Sequence, residues 1–120
     1  MRFLSMVRIN ERAGQRPSAQ LMEDMGKLMT ELSAAGSLLD TAGLQPTAEG
    51  KRVRLSRGRQ TVMDGPFTEA KEVVAGYAML QVASMDEALE ITRRFLAVHG
   101  DDWDLECEVR QVMEHCPEAA

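Results

Sequence analysis

The segment VVAGYAMLQV, residues 73–82, decides the fold of this chain. Apolar side chains stand at successive positions along it, so a strand formed here would be apolar on both faces. Such a strand belongs in the interior of a sheet, where other layers cover its two faces. We therefore predict a central strand, and the remaining segments must supply its neighbours and its cover.

Two segments have the spacing of amphipathic helices. The first begins after Ser18, which can cap it, and ends before Gly36. Its apolar residues recur three or four positions apart, as one helix face requires: Leu21, Met22, Met25, Leu28, Met29 and Leu32. The second begins at the capping box of Ser84 and Glu87 and ends at Gly100. We expect each helix to bury one face against the sheet.

Three more segments have the pattern of strands. Residues 2–9 are rich in apolar and β-branched side chains, and residues 37–44 form a shorter apolar run. Residues 105–110 alternate apolar and charged side chains, which is typical of a strand with one wet face. Together with the central strand they predict an α+β sheet of four strands.

Residues 51–64 predict a β-hairpin with its tip at residues 57–58. Pairing across this tip places Val53 opposite Val62 and Lys51 opposite Asp64, so Asp64 shares the face of the two valines. Five cations and no acid fall within residues 51–59. This cluster either protects an exposed edge from aggregation or binds an anion or an acidic partner. The first alternative is the more common one.

The order strand, helix, strand, hairpin, central strand, helix, strand predicts an α+β ferredoxin-like sandwich. Both helices then cover one sheet face, and the other face needs a cover of its own. Twofold pairing of identical chains is the commonest way to provide one. We therefore expect a homodimer packed sheet to sheet.

Composition narrows the classes of function. With 120 residues, 44% hydrophobic, the chain fits one domain, which we place at residues 1–113 with a C-terminal tail at residues 114–120. A net charge of -5 argues against direct nucleic-acid binding. No apolar run suits a membrane helix, so we expect a cytoplasmic protein. Two cysteines without zinc-site spacing, and no phosphate-binding loop, lead us to expect no metal and no cofactor.

Asp64 is the residue most able to carry chemistry. It opens the turn Asp64-Gly65-Pro66-Phe67, where an Asp side chain commonly bonds its own backbone. A carboxylate at the mouth of an apolar pocket can instead act as a general acid or base, or bind a polar ligand. Glu69 and Lys71 follow, and each is either a member of a surface ion pair or a pocket residue.

Other polar residues have ordinary structural explanations. His99 precedes Gly100 at the end of the second helix, where an imidazolium interacts favourably with the helix dipole. The acids at positions 101, 102 and 104 flank Trp103 but lack the spacing of a calcium loop. We expect these acids to be solvated and Trp103 to anchor the loop in the core.

The segment VMDGPFTEAKEVVAGY, residues 62–77, resembles the signature of the YCII-related proteins, in particular the subgroup named after the Asp-Gly-Pro-Phe motif. The similarity extends over the opening strand, both helices and the last strand. It implies a dimeric α/β barrel of ferredoxin-like subunits with a cleft between sheet and helices as the binding or active site. It also implies a site at Asp64, Gly65, Pro66, Phe67, Glu69 and Lys71.

The resemblance leaves the function unassigned. Members of the better-studied branch have a His and Asp pair proposed as catalytic, whereas the histidines here, His99 and His115, lie in the second half of the chain. We predict a small-molecule-binding dimeric barrel, with simple acid–base catalysis by Asp64 left open. Genes of such proteins often neighbour those of alternative sigma factors, so the alternative is a regulatory module that binds a sigma factor.

Overall fold

The computed structural model describes residues 1–11, 16–101 and 103–114. It contains six strands and two helices in the predicted order. Along the chain they are β1 (Arg2–Ile9), α1 (Ala19–Ala34), β2 (Leu38–Gly43), β3 (Lys51–Ser56), β4 (Arg59–Asp64), β5 (Val73–Gln81), α2 (Met85–His99) and β6 (Glu106–Gln111). A short 3₁₀ turn at Thr47–Glu49 precedes the hairpin.

Four strands form one antiparallel sheet in the order β2, β5, β1, β6. The predicted interior position of the segment after residue 73 is confirmed, because β5 pairs with β1 on one side and β2 on the other. Strands β3 and β4 form a separate two-stranded sheet. This is a mixed α+β architecture compatible with a ferredoxin-like fold. Within the described residues the sheet stays open and closes no barrel.

Both helices begin at the predicted caps. The Ser18 hydroxyl accepts a hydrogen bond from the Leu21 amide at 3.0 Å, and the Ser84 hydroxyl accepts one from the Glu87 amide at 3.2 Å. The Glu87 carboxylate reaches back to the Ala83 amide at 2.9 Å and completes the second cap. Neither helix is long and apolar enough to cross a membrane, as judged over the described parts of the chain.

The hairpin register is confirmed. Val53 pairs with Val62, and Lys51 pairs with Asp64. Arg57 and Gly58 at the tip both have positive φ, the conformation that a tight hairpin turn with matching twist requires. Asp64 therefore lies on the same face as the two valines, but that face is exposed to solvent.

The core lies between the helices and one face of the sheet. Phe3 of β1 and Leu80 of β5 are neighbours across the ladder, and each is only 1% exposed. Helix residues Leu28, Leu32 and Ala88 pack with them in one buried cluster. The helix stripe predicted from the sequence is thus largely confirmed, although Met22 at its margin is mostly exposed.

The opposite sheet face, which we call the open face, has no helix over it in the described structure. Alternation along β1 and β5 puts the half-buried side chains Leu4, Met6, Tyr77 and Met79 there. Charged residues surround them, with Arg8 3.3 Å from the Glu108 carboxylate. The predicted tail begins at Glu114, which forms a 2.9 Å ion pair with Arg2, and residues 115–120 lie outside the described residues.

We expect Leu80→Ala to lower the free energy of unfolding by about 2–5 kcal/mol, because it empties the centre of the core. Leu39→Ala is the matched control, since Leu39 is 52% exposed and its truncation should change stability by less than about 0.5 kcal/mol. Urea denaturation followed by circular dichroism measures both. Equal losses in the two variants would contradict this location of the core.

Candidate functional site

A cavity of about 610 Å³ lies between the helices and the sheet, beside the core. We call it the sheet–helix cavity. Helix α1 contributes Leu21, Met25 and Met29 to its wall, and α2 contributes Ile91 and Phe95. Its volume falls within the range of small-molecule sites. It corresponds in position to the cleft that the family resemblance implies.

Small residues explain why this end of the layer is hollow while the other end is packed. Gly26 of α1 and Gly43 of β2 both line the cavity, and neither has a heavy atom within 4 Å of where a Cβ would stand. Ala75, Gly76 and Ala78 line it from β5. Side chains this short leave empty space at this end of the layer, whereas the larger Leu80 side chain fills the corresponding space at the packed end.

The hydroxyl groups of the cavity wall already have partners in the protein. Thr92 donates to the Ala88 carbonyl at 2.9 Å and lies 3.3 Å from the Ser5 hydroxyl. Thr41 donates to the Tyr77 carbonyl at 2.8 Å. None of the described lining residues is an Asp, Glu, Lys or Arg. The wall therefore presents an uncharged, mainly apolar surface.

Two ionisable groups of the main sheet have shifted pKa values, Tyr77 on the open face and Cys107 on β6. The Tyr77 hydroxyl donates to the Asp40 carboxylate at 2.9 Å, and this hydrogen bond, followed by the negative charge of Asp40, raises the pKa of Tyr77. Burial raises the pKa of the Cys107 thiol on β6, and a hydrogen bond from Ser5 opposes this only in part. Both shifts favour the neutral forms of these side chains at neutral pH.

His99 lies in the wall of the cavity at the end of α2. Its Nδ1 is 3.0 Å from the Phe95 carbonyl, which can only accept, so Nδ1 carries the proton in this hydrogen bond. The ring also makes edge contacts with Phe95 and Trp103, with centroids 4.9 and 5.5 Å away. Trp103 thus belongs to the cavity wall as well as anchoring the loop after α2.

A second cavity of about 540 Å³, the loop cavity, lies where the open face meets the base of the hairpin. Arg8 and Glu108 line it from the sheet, and Thr47, Arg52 and Phe67 line it from the loops. It contains both positive and negative side chains. Of the six residues predicted for the site, Phe67 is the one that lines a described cavity.

Asp64 is the last residue of β4, at the base of the hairpin, and lies outside the lining of both cavities. Its carboxylate forms an ion pair with Lys51, and its side chain is 74% exposed. Its described partner is a side chain across the hairpin and not its own backbone, so the predicted bond of Asp64 within its own turn stays a prediction. An acid–base role for Asp64 stays a prediction.

Gly65 occupies a position that no larger residue can take without a shift of the backbone. A Cβ there would stand 1.7 Å from the Thr47 carbonyl oxygen. The Gly65 amide donates to the Gly50 carbonyl at 2.9 Å, and the bond to Pro66 is cis. Thr47 is itself held by the Glu11 carboxylate, which accepts from its amide at 2.8 Å. The Asp-Gly-Pro-Phe turn thus packs closely against the loop before the hairpin through the backbone of Gly65.

Phe67, Glu69 and Lys71 complete the predicted set. The Arg52 guanidinium lies over the Phe67 ring, 3.9 Å from its centroid, and forms an ion pair with Glu69. A backbone hydrogen bond of Glu69, together with Arg52, lowers the pKa of this carboxyl. Lys71 is exposed in the bend before β5. Glu69 and Phe67 therefore fix the hairpin base through Arg52.

Two features of the sequence indicate the cavity. The run Ala75-Gly76 followed by Ala78 places small residues on the helix-facing side of a central strand, where large ones normally pack. The second is His99, whose Nδ1 bonds the Phe95 carbonyl at the helix end while its ring lies in the cavity wall. Among the described residues, no group of three or more His, Cys, Asp and Glu could hold a metal ion.

We expect Gly65→Ala to lower the free energy of unfolding by about 1–3 kcal/mol, because its Cβ would overlap the Thr47 carbonyl. The matched control is Gly26→Ala, which should raise stability by up to about 1 kcal/mol, since the position is a helix interior with free space. Urea midpoints of the two variants provide the comparison. A neutral Gly65→Ala would show that the turn does not depend on this backbone contact.

A family model described as the YCII-related domain matches residues 1–114 of the chain. A protein of Rhizobium meliloti (strain 1021), named as uncharacterized protein R00369, is 39% identical over 74 residues. That match covers 62% of this chain and 60% of the relative, so the chain matches less than two thirds of the relative's length. Because the family model spans most of the chain, the chain belongs to the YCII-related domain family.

Proposed function

We propose that this protein binds a small, uncharged, predominantly apolar molecule in the sheet–helix cavity. The observation that carries the proposal is the cavity itself, about 610 Å³ in volume and lined by aliphatic, methionine and aromatic side chains. A hollow of this size in a chain of 120 residues removes packing that the core could otherwise use. A bound apolar ligand would restore those contacts.

The ligand class follows from the hydrogen bonds of the wall. Thr92 and Thr41 donate their hydroxyl protons to backbone carbonyls, so neither offers a free donor to a ligand. A charged ligand would have to leave water without a described countercharge in the wall, which is costly. His99, with Nδ1 committed to the Phe95 carbonyl, is the side chain best suited to accept one hydrogen bond from a ligand hydroxyl or amine.

The same proposal includes two features that the family resemblance implies. Two chains pair through their open faces, covering Leu4, Met6 and Met79, and their sheets together form the dimeric α/β barrel. We also propose that the chain belongs to the subgroup named after the Asp-Gly-Pro-Phe motif, and the support is the turn at residues 64–67. The support for the dimer is the half-buried apolar surface that no described helix covers.

Asp64 has a narrower role in this proposal than a catalytic one. It sits at the hairpin base beside Lys51, so its contribution is to the conformation of the turn. General acid–base catalysis by Asp64 would need a ligand at that exposed base. The regulatory alternative, in which the chain binds an alternative sigma factor, would use an exposed surface and leave the cavity without a role.

Gly26→Leu should weaken binding of the neutral fluorescent probe N-phenyl-1-naphthylamine by at least about tenfold, because the new side chain enters the cavity. Ala34→Leu, near the end of the same helix and outside the cavity wall, is the matched control and should bind as the wild type does. Fluorescence titration measures both affinities. The proposal fails if the wild type does not bind the probe or if Gly26→Leu binds it equally well.

Asp64→Asn should leave both the fold and the probe affinity unchanged, because the carboxylate lies outside the sheet–helix cavity. The amide cannot form the ion pair with Lys51, but an exposed pair contributes only about 0–1 kcal/mol. The same titration, with a urea midpoint, tests this. A loss of probe binding at unchanged stability would instead indicate that Asp64 belongs to the ligand site, and it would support the predicted acid–base role.

A further inference from the structure

The hairpin formed by β3 and β4, residues 51–64, is an arm rather than part of the main sheet. In the described structure its strands pair only with each other. The chain has a radius of gyration of 16.6 Å, whereas a compact domain of this length has one of about 14 Å. The molecule measures 47 × 45 × 19 Å along its principal axes. We call residues 51–64 the basic arm.

One face of the basic arm is apolar and exposed. Val53, Leu55 and Val62 lie on this face and are 67%, 69% and 65% exposed. An isolated two-stranded hairpin is marginally stable in water and needs a further layer against one face. These three side chains therefore form an apolar surface that no other described element of the chain packs against.

The net charge of the basic arm indicates which kind of surface can pack against it. The arm carries five Lys and Arg residues against one acid, Asp64, a net charge of +4. The whole chain has a net charge of -5, which leaves -9 on the remaining residues. The body of a second copy is thus strongly complementary to the arm, and complementary charge of this kind favours association.

The position of the arm directs it toward the open face. Arg52 at its base lines the loop cavity together with Met6, Arg8 and Glu108, which belong to that face. Arg52 is fixed there by the Phe67 ring and Glu69. A second copy seated on the open face would therefore meet the arm at the edge of the contact.

We propose that the basic arm packs against a second copy of this chain, with Val53, Leu55 and Val62 on the partner's apolar surface. Arg54 and Arg59 lie on the other face of the hairpin, so they attract the acidic partner through the overall field of the arm and do not contact its acids across this surface. In a twofold dimer each chain gives and receives one arm, so the contact forms twice. The proposal rests on the homodimer proposed above and names the element that stabilises it. The arm supplies apolar area and opposite charge that the open faces alone do not.

The test replaces Val53, Leu55 and Val62 together by Thr, which keeps strand propensity and removes apolar surface. Analytical ultracentrifugation should give a dimer for the wild type and a dissociation constant at least about a hundredfold weaker for the triple variant. Met85→Ser is the control, because Met85 is exposed at the start of α2 and should leave the dimer intact. An unchanged dissociation constant in the triple variant overturns the proposal.

Charge is tested separately by replacing Arg54, Arg57 and Arg59 with Gln, which spares Arg52 at the base. Raising the salt concentration from about 0.05 to 0.5 M should weaken the wild-type dimer by about tenfold, and this dependence should shrink in the Gln variant. A wild-type dimer whose affinity does not respond to salt contradicts the role of charge. It would leave the apolar contact as the only support for the arm.

Two further measurements separate failure of the arm from failure of the proposed function. Met79→Glu places a charge on the open face. If this variant loses the dimer while the Thr variant keeps it, the chains pair through their open faces and the proposed contact of the arm is rejected. Probe titration of the Thr variant should match the wild type, because the sheet–helix cavity lies on the other side of the sheet. A monomeric wild type overturns both the proposed arm contact and the proposed homodimer. The exposed surface of the arm would then be available to another protein, such as a sigma factor.

Discussion

The contact of Phe3 with Leu80 beneath the two helices is the interaction on which the rest of this structure depends. These side chains come from the two inner strands and are the most deeply buried large residues of the described chain. They fix how closely the helices approach the sheet. Further along the same strands the wall residues become Gly and Ala, so at a fixed helix distance the layer opens into a cavity.

The contacts of the Asp-Gly-Pro-Phe turn in this structure hold the backbone of neighbouring segments in place. Gly65 fits because only hydrogen can stand against the Thr47 carbonyl, and Phe67 supports the guanidinium of Arg52. These contacts hold the loop before the hairpin, the hairpin base and the approach to β5 together. The turn thus organises the structure around the basic arm, while the apolar cavity lies on the other face of the sheet.

Three surfaces of the molecule are therefore incomplete in a single chain: the cavity wall, the open face and the apolar side of the arm. Each exposes apolar side chains that the chain's own described elements do not cover. A small molecule and a second copy of the chain would together cover all three. In the proposed dimer, the opposite charges of arm and body would favour association in addition to apolar burial.

The order of the elements, the helix caps, the hairpin register and the α+β class can be predicted from the sequence, because these depend on periodicity and on contacts between near neighbours. The relative positions of the site residues come from the packing of the folded chain. This packing separated Asp64 from the sheet–helix cavity and brought His99 into the cavity wall. Such distances depend on how helices and loops pack across the sheet, and that packing joins residues far apart in the chain whose spacing carries no local signal.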